Sequence, residues 1–206
     1  MPGRARRDSG QAFPVYIAVV AGLLFLAFAY FAVGQAAFTR NSAQTAADAA
    51  ALAAAQDARE QLREGWIEVI LDPGQWGGFL GGLEYDPDAA CDQAAEFAAR
   101  NGAALSGDTC VPLDSGGFRV TVRTNGPESN PATASASAVI EPLCEYKEQE
   151  PPSEPPPSTP TPPDEGDEEE EGPIMGLMCD GVAWEIDPEK PTLPGAVDLF
   201  TVRLSE

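Results

Sequence analysis

Four cysteines, Cys91, Cys110, Cys144 and Cys179, are the residues of this chain whose chemistry depends most on spacing. An even number of cysteines in an oxidising compartment favours disulfides. Four cysteines allow three pairings, and sequential pairing is favoured because it closes the shorter loops. A zinc site is the alternative, although the chain has no CxxC spacing and no histidine. We predict two disulfides and no metal centre.

Catalytic chemistry has few candidates among the other residues. Without histidine, the chain lacks the base of a Ser-His-Asp triad and the ligands of an HExxH site. It contains no G-x-S-x-G, Walker-type or GxGxxG sequence. Lys147 and Lys190 lie beside linker-like or proline-flanked sequence, and nothing marks out a pair among the 33 acidic residues. We predict no enzyme activity, no cofactor and no small-molecule substrate.

The chain is uncharged from Ser9 to Thr39, a run that is long enough to cross a bilayer. A run that crosses a bilayer determines on which side of it the following residues lie. A membrane-spanning helix needs about 20 apolar residues, and residues 13–33 are almost wholly apolar. A cleaved signal peptide is the alternative, and the small residues Ala32 and Gly34 suit a signal peptidase. Its apolar region is typically only about 7–15 residues long, so we favour a transmembrane helix over residues 13–38.

The charges that flank this run predict its orientation. Arg4, Arg6 and Arg7 precede the run and Arg40 alone follows it closely, which places residues 1–12 in the cytoplasm and the rest outside. Eight of the 12 basic and 32 of the 33 acidic residues follow Arg40, a net charge of −24. Such a charge repels nucleic acid and anionic lipid, so neither is expected as a partner of the outer part.

The outer part begins as a helix and continues into strands. Residues 41–64 are rich in alanine and lack proline and glycine, so one helix is predicted from the membrane to about Gly65. Residues 66–71 finish this helix or form a short strand. The glycine-rich residues 74–82 form an exposed aromatic tip or, as we favour, a loop whose aromatic side chains fold back on the core. A second helix is predicted over residues 86–100, capped by Asp86 or Asp88.

Alternating patterns in residues 118–123 and 132–140 predict paired antiparallel strands, the second with an alanine face that fits the helix. Residues 145–173 are rich in proline and acidic residues and are predicted to be a disordered linker. Residues 174–206 are predicted to carry strands that rejoin the first sheet, with Cys144 and Cys179 closing the insertion. The predicted fold is therefore α+β: a transmembrane helix continues into an alanine-rich helix, which packs on a small antiparallel sheet within an outer domain of residues 39–144.

Two stretches at the amino end resemble a known family. They are Arg7-Asp-Ser-Gly-Gln-Ala-Phe-Pro-Val-Tyr16 and Arg40-Asn-Ser-Ala-Gln-Thr-Ala-Ala-Asp-Ala-Ala-Ala-Leu-Ala-Ala-Ala55. They resemble the TadE/TadG-like proteins of Flp (tight adherence) pilus assembly, and most closely the actinobacterial TadG-like forms. The resemblance implies a membrane-anchored, pilin-like or accessory protein whose partners are the lipid bilayer and other envelope or pilus-assembly proteins.

The resemblance also points to a candidate processing site at Gly10, Gln11 and Tyr16. Flp pilins are cut after a glycine that is followed five and six residues later by Glu and Tyr. Gly10 and Tyr16 match this pattern, whereas Val15 occupies the position of the Glu. We therefore expect a non-enzymatic protein of the cell membrane that functions in pilus assembly. A membrane-tethered binding or adhesion module unrelated to pili is the alternative.

Overall fold

The structure, a computed structural model, describes residues 12–125, 131–147, 172–190 and 192–205. The predicted cytoplasmic segment, Gly10 and Gln11 of the candidate processing site, and most of the predicted linker lie outside these residues. The helices are α1 (Ala12–Glu68), α2 (Trp76–Leu80), α3 (Pro87–Arg100) and α4 (Ala196–Leu199). The strands are β1 (Ala103–Pro112), β2 (Gly117–Thr124), β3 (Thr133–Pro142), β4 (Cys144–Tyr146), β5 (Ile174–Cys179), β6 (Val182–Ile186) and β7 (Phe200–Ser205).

Helix α1 is one uninterrupted helix of 57 residues, as the alanine-rich sequence predicted. Pro14 lies in its first turn, where a missing N–H removes no intrahelical hydrogen bond. The helix continues beyond the predicted end at Gly65 and includes Trp66, so residues 66–68 finish the helix rather than form a strand. Gly65 is required for packing here, because a Cβ at this position would collide with the ring of Phe79.

Four antiparallel strands form the larger sheet in the order β1-β2-β3-β7. The predicted pair is present, with Phe118 opposite Ala138, and with Val120 opposite Ala136. Strand β1 was not predicted, because its alternation is interrupted by an irregularity between Leu105 and Cys110. The last strand, β7, pairs with the edge of β3 that β2 leaves open. The end of the chain therefore rejoins this sheet, as predicted.

A second sheet, of order β4-β5-β6, corrects one part of the prediction. We expected the strand at residues 182–186 to rejoin the first sheet, but it pairs with β5. The physical reason is the turn at Asp180 and Gly181, whose φ angles of 47° and 78° are typical of a tight hairpin. Glu145 and Tyr146, which were predicted as part of the linker, belong to strand β4 together with Cys144.

Helices α1 and α3 cover one face of the larger sheet, and alanine dominates their contact. Asp86 caps α3 by accepting from the backbone N–H of Asp88, as predicted, and Pro87 occupies the first helical position. Ala90, Ala94 and Ala98 are the buried residues of α3. Beneath α1, the buried strand residues include Phe118, Val120, Val122, Ala138 and Ile140.

The glycine-rich segment folds back on the core, which is the alternative that we favoured. A 3₁₀ turn (Pro73–Gln75) leads into α2, and the Trp76 side chain is completely buried. Its ring lies 5.4 Å from that of Trp66 and 4.8 Å from that of Tyr146, centroid to centroid, in edge-on geometry. The Trp76 Nε1 donates to the carbonyl of Val69 at 3.0 Å. These contacts join the end of α1 to the second sheet.

Enlarging one alanine in the helix contact is expected to destabilise the domain. Ala94→Leu inserts a larger side chain into a fully buried site and should cost about 1–3 kcal/mol of unfolding free energy. Urea unfolding followed by circular dichroism measures this change. Ala89→Leu is the matched control, because Ala89 is exposed on the same helix and should change stability by less than about 0.5 kcal/mol. Equal unfolding midpoints for the two variants would contradict the tight packing of α3.

Candidate functional site

The first half of α1 exposes an apolar surface around its whole circumference. The described part of the chain contains one helix, α1, that is long and apolar enough to cross a membrane. We call residues 13–38 the apolar segment. Its large side chains are more than half exposed at nearly every position, and Phe25, Phe28 and Tyr30 reach 71%, 71% and 85%. An apolar surface of this extent needs a covering of lipid or protein, because water solvates it poorly.

The second half of α1 is buried along one face, and the change occurs within a few residues. Ala43, Ala46, Ala47 and Ala50 are fully buried, whereas Phe38 is 70% exposed. The residues predicted for helix packing, 46–55, include six alanines with no exposed surface: Ala46, Ala47, Ala50, Ala51, Ala54 and Ala55. We call them the alanine face. One helix therefore carries the predicted anchoring residues and the predicted packing residues in sequence, without a break between them.

Two disulfides join the four cysteines in the sequential pairing that the sequence favoured. The Cys91–Cys110 disulfide connects α3 to β1, with Cα atoms 5.8 Å apart. The Cys144–Cys179 disulfide connects residues that lie directly opposite each other on β4 and β5, with Cα atoms 4.0 Å apart. The first disulfide fastens a helix to the edge of the larger sheet. The second closes the base of the chain segment that joins the two halves of the smaller sheet.

A polar notch of about 580 Å³ lies between α1 and the edge of the larger sheet, where β7 ends. Gln44 and Asp48 line one wall, and Gln44 Nε2 donates to Asp48 Oδ1 at 2.8 Å. Arg119 lines the other wall and donates from Nε to Ser137 Oγ at 3.2 Å. The notch holds one carboxylate and one guanidinium, and within the described residues no three His, Cys, Asp or Glu side chains come close enough to bind a metal ion.

The ionisable groups with shifted pKa values have structural causes. The hydrogen bond and charge of Arg203 hold the pKa of Glu141 below its ordinary value. These residues form an ion pair on the exposed face of the larger sheet. Burial raises the pKa of Tyr85, whose ring lies 5.5 Å from that of Phe118, centroid to centroid. Neither group lines the polar notch.

The structure places Tyr16, the described member of the candidate processing site, on α1. Its side chain is 68% exposed, and that of the neighbouring Val15 is 64% exposed. The sequence reading missed the polar notch altogether. Its walls come from α1, β2, β3 and β7, so their proximity depends on pairing between strands that are distant in the chain.

Comparison with protein-family models found a match in the amino-terminal part of the chain. Residues 10–57 match the model of a family described as Putative Flp pilus-assembly TadE/G-like. The resemblance inferred from the sequence is confirmed over these residues, which include the apolar segment and the alanine face. No curated protein and no solved structure matches the chain.

Removing either disulfide is expected to destabilise the outer domain. The bonds span 19 and 35 residues, and loop entropy predicts losses of about 3 kcal/mol for Cys91→Ser/Cys110→Ser and about 4 kcal/mol for Cys144→Ser/Cys179→Ser. Denaturant unfolding of the full chain in detergent measures both losses. An unchanged unfolding midpoint in either double variant would contradict a stabilising role for that bond.

The ion pair of Glu141 predicts a specific dependence on pH. Because folding lowers the pKa of Glu141, the ion pair stabilises the fold above the unfolded pKa, and its contribution is lost as the pH falls through the folded pKa. Arg203→Gln should therefore raise the pKa of Glu141, measured by NMR titration of its carboxyl carbon. Arg123→Gln removes a charge from the same sheet face without touching Glu141 and should leave this pKa close to that of the native chain. A pKa of Glu141 that does not respond to Arg203→Gln would refute the assigned cause.

Proposed function

We propose that this chain is a membrane-anchored, non-enzymatic component of Flp-type pilus assembly. The observation that carries the proposal is the coincidence of the family match with the structure. Residues 10–57 include both the exposed apolar segment and the buried alanine face, which are the two functional parts of α1. The matched residues are therefore those that would anchor the protein and attach the outer domain to its anchor.

In this proposal the apolar segment crosses the cell membrane once, with residues 1–12 in the cytoplasm. Residues 13–33 span about 31 Å as a helix, which equals the thickness of a bilayer's hydrocarbon core. The three arginines before the segment favour this orientation. The two disulfides are compatible with it, because disulfides persist outside the cytoplasm.

The structural role follows from the continuity of α1. A helix without a break between membrane and domain transmits position and force directly, since no flexible linker separates the two parts. The alanine face fastens the sheet and α3 to this helix along its outer half. An outer domain held in this way suits a protein that enters a filament or supports its assembly. The lack of histidine and of catalytic motifs supports a role without enzyme activity.

A membrane-tethered binding module is the second candidate function. The polar notch favours it, because a concavity of about 580 Å³ with a carboxylate on one wall and a guanidinium on the other is large enough for a small polar ligand. In this alternative, α1 holds the outer domain at the cell surface without any filament. The two candidates share the same membrane topology and differ in whether pili depend on the protein.

Charged residues at the centre of the apolar segment are expected to prevent stable anchoring. Leu23→Arg/Leu24→Arg should reduce insertion, because each arginine at a helix centre costs about 2.5–3.5 kcal/mol. Alkaline carbonate extraction of membranes should release this variant and retain the native chain. Leu83→Arg is the control, since Leu83 is 61% exposed in the outer domain. Release of the native chain by carbonate would contradict the proposed span.

The role in pilus assembly is tested in the producing cell. Deletion of the gene should abolish surface filaments seen by electron microscopy, and the native gene should restore them. Leu23→Arg/Leu24→Arg should fail to restore them, whereas Leu83→Arg should succeed. Immunoblotting of purified filaments then distinguishes a subunit from an accessory protein. Normal filaments in the deletion strain would refute the pilus role and favour the tethered binding module.

A further inference from the structure

The end of α3 and the end of β2 lie at the end of the domain that is nearest to the apolar segment. Gln61 and Asp86 exchange two hydrogen bonds, of 2.7 and 3.3 Å, so α3 begins beside the distal part of α1. Since α3 packs along α1, its 14 residues run back towards the apolar segment for about 21 Å. The N–H of Asn125 donates to the carbonyl of Gly102 at 2.9 Å, which brings the end of β2 to the same place.

We call this part of the molecule the proximal end, and exposed arginines lie on it. They come from three elements: Arg40 from α1, Arg100 from the last turn of α3, and Arg119 and Arg123 from β2. Two described carboxylates lie beside them. Glu96 forms an ion pair with Arg100, and Asp48 keeps its negative charge, because its partner Gln44 is neutral. Residues 126–130, which include Glu128, lie outside the described residues.

Carboxylates are concentrated at the opposite end of the domain. They follow the distal half of α1, its connection to α3 and the first turn of α3, and they include Glu60, Glu64, Glu68, Asp72, Asp86 and Asp88. The net charge of −24 beyond Arg40 therefore hides an asymmetry along the domain. Among the described residues, four arginines and the carboxylates of Asp48 and Glu96 lie on the side of the apolar segment, whereas the distal carboxylates outnumber the arginines beside them, Arg59 and Arg63. The expectation that the outer part repels anionic lipid follows from net charge alone and disregards this arrangement.

The distances of the arginines from the end of the apolar segment bring them within reach of lipid headgroups. Asp86 lies beside Gln61 of α1, and Arg100 lies about 14 residues further along α3. Because α3 runs back along α1, Arg100 is opposite a point on α1 that is about nine residues, or about 13 Å, beyond Phe38. A headgroup layer is about 5–7 Å deep. The remaining gap of about 7 Å is shorter than the Debye length of about 8 Å at physiological ionic strength. In the structure Arg100 turns back to Glu96, so it must exchange this carboxylate for a headgroup phosphate to bridge the gap, whereas Arg40 lies within the layer itself.

We infer that the proximal end binds the phosphate groups of anionic lipids in the leaflet from which α1 emerges. The arginines attract these headgroups, and the distal carboxylates are repelled, so both effects favour a domain that stands with its proximal end on the membrane. This inference rests on the proposed membrane span. It adds a lipid preference and a fixed orientation, neither of which a helix anchor alone supplies.

Paramagnetic NMR on the full chain tests this contact. Isotope-labelled protein is placed in nanodiscs of phosphatidylcholine, with or without 30% phosphatidylglycerol, that contain a small fraction of headgroup spin-labelled lipid. The amides of Asn101, Gly102 and Asn125 should show stronger relaxation enhancement in the anionic discs. The distal amides of Gly181 and Ala183 should not. Each arginine near an anionic surface favours contact by about fivefold. Arg100→Gln/Arg123→Gln should therefore reduce the difference in relaxation enhancement between the two disc compositions at least about fivefold.

The matched control lowers the net charge equally at the other end of the molecule. Lys147→Gln/Lys190→Gln removes two exposed distal charges and should leave the enhancement at the proximal amides unchanged. Equal enhancement in both lipid mixtures, or equal losses in the two double variants, would overturn the inference while leaving the span intact. Failure of the native chain to enter either disc would overturn the proposed span and this inference with it.

Discussion

The close packing of α1 through its alanine face is the interaction on which the rest of the structure depends. Alanine buries little apolar area, so each contact stabilises weakly and many are required. The packing changes in character along the helix: small residues such as Ala47 and Ala54 lie near the apolar segment, and Trp66 lies at the far end. The small residues let α3 and the larger sheet approach α1 closely. The large aromatic cluster around Trp66, Trp76 and Tyr146 then joins the second sheet to the same helix.

The continuity of α1 gives this packing its functional meaning. The same helix presents an exposed apolar surface over its first half and a buried alanine face over its second, with Arg40 between them. In the proposed membrane topology, this change of environment at a fixed point along the helix sets how far the domain stands from the membrane. The family match ends at residue 57, two residues beyond the alanine face.

Charge distribution shows how far a net value can mislead. The chain is strongly acidic, yet Arg40, Arg100 and Arg123 converge at the proximal end because α3 runs back along α1 and β2 ends beside it. No local pattern in the sequence connects Arg40, Arg100 and Arg123. An electrostatic argument about partners therefore needs the fold, since interactions between exposed charges are largely screened beyond about 8–10 Å.

The sequence by itself determined those features that arise from local periodicity and capping. The length of α1, the start of α3 at Asp86 and the pairing of β2 with β3 follow from alanine content, a capping carboxylate and strict alternation. Tertiary structure settled the cysteine pairing and the burial of Trp76, each of which the sequence favoured without excluding the alternatives. It also decided that β6 joins a second sheet, although an Asp-Gly turn signal was present at residues 180–181. The physical reason is that sheet membership and side-chain burial depend on contacts between residues far apart in the chain, whereas helix formation and capping depend on neighbours.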